Sequence, residues 1–178
     1  MTSEFSRDAA MTAAIFGFFA MAWFGWAQEH PPRSWKKWLI AGSVVATLAL
    51  LAGGLLAWRR WNTGTVFDGE TGRTFGIIVG IEFALAGLGA GLLAWRGRKE
   101  LIPVWIALVV GAHLFPLAPL LHYPLLYLVA ALVTIAALVA VPVARGRSVA
   151  VSAVNGLGVG TALLTAAIFS LADALGHS

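Results

Sequence analysis

Apolar residues run almost unbroken along this chain, in six stretches separated by short polar breaks. The stretches cover about residues 9–27, 38–58, 74–95, 101–121, 124–144 and 149–172. Each is close to the roughly 20 residues that a helix needs to cross a bilayer core about 30 Å thick. Strands of a membrane barrel would alternate apolar and polar positions over about ten residues. These runs do not alternate and are rich in Leu and Ala. The pattern predicts an all-α, polytopic integral membrane protein: six transmembrane helices in one bundle, a single transmembrane domain over 1–178. No connection is long enough to fold separately, and the connector 59–73, with Gly64, Gly69 and Gly72, reads as flexible. The first run is expected to be retained rather than cleaved. Glu4, Arg7 and Asp8 precede it, and Trp23, Phe24 and Trp26 stand where a small-residue cleavage site belongs.

Composition narrows the class further. The chain is 60% hydrophobic and 11% charged, against roughly 45–50% and 25% in soluble domains. That excludes an ordinary soluble enzyme and a nucleic-acid-binding module, and leaves the lipid bilayer as the main partner. The basic residues are scattered over short connections, which suits lipid phosphates better than a duplex. The absence of Cys excludes disulfides, thiolate metal sites and thiol catalysis. The Lys/Arg bias sets the expected orientation. Arg33, Lys36, Lys37, Arg96, Arg98, Lys99, Arg145 and Arg147 lie on one side, and Arg7, Arg59, Arg60 and Arg73 on the other. The richer side is expected in the cytoplasm, so both the N- and C-termini of this multi-pass chain are expected on the non-cytoplasmic side. Trp residues near the ends of the runs form an aromatic belt.

The residues that carry information are those that disobey the pattern. Glu82 lies well inside the third helix, and His113 inside the fourth. A carboxylate at that depth costs several kcal/mol unless it is neutralised, paired or hydrated. The two helices are antiparallel and closely linked, so the two groups are expected at similar depth. In contact, they would titrate as one coupled unit. Pro116 and Pro119, just beyond His113, remove backbone donors from the fourth helix. Asn155 is a further intramembrane polar group, nearer the cytoplasmic end. Glu82, His113 and Asn155 are therefore the expected substrate or ion pathway. At the end of the first helix, WFGWAQEHPPR over 23–33 places Trp26, Glu29 and His30 together as an expected cytoplasmic entrance, or as an interfacial anchor before a proline stop.

Gly76, Gly80, Gly87 and Gly91 form a stripe along the third helix, about 150° from Glu82, and Gly156 and Gly160 repeat the spacing in the sixth. Small residues four apart let helix backbones approach closely. These stripes suit packing within the bundle or between two copies of it, with a homodimer as one expected arrangement.

No cofactor or metal is expected. Every Lys lies in a connection, so none can hold retinal inside the membrane. His113 and His122, nine residues apart, lie on opposite helix faces and cannot clamp a haem between them. Neither a G-x-S-x-G elbow, an H-E-x-x-H pair nor a P-loop lysine is present. The leading expectation is a transporter or channel for protons, small cations or a neutral solute, acting through Glu82 and His113, and not an enzyme. The lack of an intramembrane Lys or Arg points away from an anionic cargo. The alternatives are a membrane enzyme or lipid-binding protein that uses the same pair on a bound lipid or small hydrophobic molecule, and a non-catalytic subunit of a membrane complex.

Overall fold

The computed structural model describes residues 2–176. It contains six helices, α1 (Ser6–Ala27), α2 (Lys36–Arg59), α3 (Gly69–Trp95), α4 (Ile102–Leu120), α5 (Leu125–Arg147) and α6 (Val151–Gly176), with a 3-10 turn over Lys99–Leu101 before α4. There is no strand among the described residues, and all six helices are long and apolar enough to cross a membrane. The largest departure from the predicted bounds is at α3, which starts five residues early. Asp68 caps it by accepting from the Thr71 amide at 2.7 Å, so the helix begins in a polar turn that hydropathy does not register. That amide also holds the Asp68 carboxyl below its ordinary range.

Helices α1 and α6 form the centre. α1 packs on α2 and α6, α6 also meets α5, α2 and α4, and α4 packs on α5. α3 is attached differently: it packs only against α4 and the 3-10 turn that precedes it, and it buries no residue. No Cα of α1 lies within 8 Å of one of α3, so the two backbones stand apart.

Backbone proximity explains the tightest seam. A Cβ on Gly17 would lie 2.6 Å from the Leu50 amide nitrogen, and one on Gly53 would lie 2.7 Å from that of Ala14. Each helix thus supplies one glycine against the other's backbone, the arrangement that lets α1 and α2 close without side chains between them. Of the glycines predicted to pack, Gly156 meets the Trp23 carbonyl and Ala27, and Gly160 meets Phe24. Gly76, Gly80, Gly87 and Gly91 have open space around them, so within one chain they pack against nothing. The reason is positional. Their stripe points away from α4, the one helix that α3 touches.

One end of the bundle, the near end, gathers the first turn of α1, the α2–α3 connection and the α4–α5 turn. There the connection 60–68 is fastened rather than flexible. Asp8 accepts from Thr65 Oγ1 at 2.7 Å and from the Val66 amide at 2.8 Å. The Ser3 amide donates to Asp173 at 2.8 Å, and His122 meets Glu4 at 2.8 Å. Buried Tyr123 donates to Ser170 Oγ at 2.9 Å, and burial raises its hydroxyl well above the usual range. The opposite, far end holds the connections 28–35 and 96–101 and the turn at Ser148.

Candidate functional site

The short link between α3 and α4 sets their register. Glu82 lies thirteen residues before the end of α3, and His113 eleven residues into α4, so both lie some 17–20 Å from the link at 1.5 Å per residue. They meet there: His113 Nε2 is 3.3 Å from Glu82 Oε2, with each side chain only 14% exposed. The other imidazole nitrogen, Nδ1, is buried and makes no hydrogen bond of good geometry, with the Val109 and Val110 backbone of its own helix within reach of the ring. A second clasp holds the same two helices one turn toward the far end. Trp105 donates its indole N–H to the Leu85 carbonyl at 3.0 Å, and its ring occupies the space that any side chain at position 89 would need.

The pair faces a cavity of about 300 Å³. Phe16 and Phe19 of α1, Phe75 and Phe83 of α3, and Val110 and Leu117 of α4 contribute to its wall. The polar members of the lining are Thr12, Glu82 and His113. Thr12 spends its proton on the Asp8 carbonyl at 2.8 Å, which leaves the acid and the imidazole as the polar groups available to a guest. Ile15, Phe19 and Phe83 line the cavity and are also exposed on the outer surface. Together they put the outer edge of the chamber between α1 and α3.

A second cavity, about 200 Å³, adjoins it toward the near end and shares Thr12, Ile15, Phe75 and Leu121 with it. Arg7, Asp8, Trp61 and Tyr123 line this upper chamber. Arg7 donates through Nη1 to the Trp61 carbonyl at 2.8 Å, and its guanidinium lies 4.2 Å from the centre of that ring. Its Nε is buried with no hydrogen-bond partner.

The remaining predicted residues lie elsewhere. Asn155 is fully buried between α6 and the start of α4, donates to the Pro103 carbonyl at 3.0 Å, and lines neither chamber. It ties two helices together. Trp26 stacks on Trp23 with ring centres 5.3 Å apart, Glu29 and His30 are exposed, and none of the three borders either chamber. No group of three or more metal-ligating side chains converges among the described residues.

Arg7 escapes a hydropathy reading because it precedes the first apolar run. The signal that could have found it is the recurrence of 7, 8, 11, 12, 15, 16 and 19 on one face of α1, all of which line one chamber or the other. Compared with protein families, curated proteins and solved structures, the chain finds no match.

Proposed function

We propose that this chain is a multi-pass membrane protein that admits a molecule with an apolar body from the bilayer into the lower chamber and carries it across, with the Glu82–His113 pair as its proton-exchanging contact. One observation supports the reading: an apolar chamber edged by surface-exposed apolar side chains of α1 and α3 offers a guest one polar feature, an acid touching an imidazole. Its volume falls at the lower end of the roughly 300–1,000 Å³ typical of ligand pockets. An ion or proton channel would need polar groups continuing from the pair toward the far end. The intramembrane amide on that side, Asn155, is engaged with Pro103 instead.

Orientation and assembly belong to the same proposal. The Lys/Arg bias puts the far end in the cytoplasm and the near end, with both termini, outside. The outward glycine stripe of α3 suits a second copy of the chain, so the working unit is a homodimer.

The acid–base contact also supports a second reading, an enzyme in which Glu82 and His113 transfer protons to and from a lipid-soluble substrate. Turnover of the bound molecule separates this reading from transport.

The test begins with native mass spectrometry of the protein taken directly from membranes. We expect a bound apolar molecule in the wild type and its loss in Ile15→Trp, which crowds the outer edge of the chamber. Liposomes carrying the protein and a lumenal pH dye should then show proton movement when that molecule is added, and none in Glu82→Gln. A folded wild type with an empty chamber and no proton movement would overturn the proposal.

A further inference from the structure

The two chambers form one slot with a different chemistry at each end. α1 supplies one wall from Arg7 to Phe19, twelve residues or about 18 Å at 1.5 Å per residue. Phe75, Val79 and Phe83 run down the facing side on α3, and Leu121, Leu117, Leu114 and Val110 on α4. Thr12, Ile15, Phe75 and Leu121 belong to both chambers and form the waist. Below the waist the lining is apolar as far as the Glu82–His113 pair, and above it stands Arg7.

Arg7 is the cation in this slot, and its partners leave it unsatisfied. Trp61 takes one N–H through its carbonyl and covers the guanidinium with its ring, but neither contact neutralises the charge. Among the described residues no carboxylate forms an ion pair with it. Asp8, its neighbour in sequence and in the chamber wall, has both oxygens committed to Thr65 and Val66. The Nε–H remains buried and unpartnered. A buried donor on a charged group that finds no acceptor is costly, and the acceptor that suits a planar guanidinium is a carboxylate or a phosphate.

From this juxtaposition the geometry points to a ligand class: a single-chain amphiphile with an anionic head, the head held at Arg7 under Trp61 and the chain running through the waist toward Glu82 and His113. This deepens the proposed function, on which it rests, by naming the guest as an acyl or alkyl anion. It also reverses the sequence-based expectation against an anionic cargo, since the cation lies in the first turn of α1 and not in the apolar run. A free fatty acid and a lysophospholipid share this chemistry and differ in the head.

The test uses the full chain in lipid nanodiscs at pH 8, where carboxylates are ionised. Binding of dodecanoate, dodecyl phosphate and methyl dodecanoate is measured by native mass spectrometry. We expect at least one of the two anions to bind about tenfold more tightly than the neutral ester. Preference for dodecanoate alone identifies a fatty-acid type of head, and preference for dodecyl phosphate alone a phosphate type. Arg7→Gln should abolish the preference while leaving ester binding in place. Arg7→Lys, which keeps the charge, should retain most of it. Equal binding of ester and anions, or a preference that survives Arg7→Gln, overturns this inference alone. Failure of all three probes to bind wild type overturns it together with the proposed function.

Discussion

Glu82 and His113 touch across the α3–α4 seam with 3.3 Å between Oε2 and Nε2, and the imidazole lies against the Val109 and Val110 backbone of its own helix. The contact is turned toward an apolar chamber, where it is the polar feature of the wall.

The two members of the pair should therefore fail differently from ordinary packing residues. Glu82→Gln keeps shape and hydrogen-bonding capacity and removes the ionisable carboxyl. The variant should fold with a thermal midpoint close to wild type and show no proton movement in liposomes. His113→Leu should also fold, because it places an apolar side chain in an apolar wall, and it should be equally inactive. A full loss of folding in both would mark the pair as structural.

The glycines offer a second discrimination. Gly53→Leu drives a side chain into the Ala14 backbone at the α1–α2 seam, and overpacking of this kind costs about 1–3 kcal/mol or more. Gly80→Leu adds a side chain where nothing lies within 4 Å, so the single chain should keep its stability within about 0.5 kcal/mol. Unfolding in mild detergent distinguishes the two. Light scattering on Gly80→Leu then reports the dimer: a shift from two copies to one is expected if α3 forms the interface.

Asp8 anchors the near end through two accepted hydrogen bonds. Asp8→Ala strips partners from the Val66 amide and the Thr65 hydroxyl together, both half-buried, at a cost of about 1 kcal/mol for each bond lost. Amide exchange at Val66 should rise sharply, and limited proteolysis should cut within 60–68. Tyr123→Phe removes a single neutral bond to Ser170, so a smaller loss of about 1 kcal/mol is expected.

The cap of α3 carries a pH dependence whose sign follows from its geometry. The Asp68 carboxyl is held below its ordinary value of 3.8, chiefly by the Thr71 amide. Its contribution is fully present above that value and fades as pH falls through the lower folded-state value. The first turn of α3 should fray in acid below about pH 4. Hydrogen exchange at Thr71 should lose protection there, and Asp68→Ala should show the weak protection at every pH.

How much of this was legible in the sequence depends on what each feature is made of. The helices were, because a run of apolar residues long enough to cross a bilayer is a local property. Their ends were not, because caps such as Asp68 extend a helix into polar sequence. The meeting of Glu82 and His113 was half legible: a short link fixes relative depth, but which faces turn together is a tertiary matter. Glycine spacing marks a face on which helices could approach without saying that a neighbour is present. Gly76, Gly80, Gly87 and Gly91 look out on open space, while isolated Gly17 and Gly53 form the closest seam. The slot itself lies where the backbones of α1 and α3 stand apart, which no local pattern encodes. Arg7 gained its importance only when the connection from Trp61 to Phe67 was seen folded over it.

Five of the helices are braced by two or more helical neighbours, and α3 has one. A guest in the slot would touch α1 and α3 together and serve as the missing brace, so an occupied chain should resist unfolding more than an empty one. The gain follows mass action, about 2.7 kcal/mol at a hundredfold excess of ligand over its Kd. Heat resistance can thus be used to screen for a guest before any activity is measured. The helix that reports it most sensitively should be α3, whose amides would exchange first in the empty protein and slow most when the right molecule arrives.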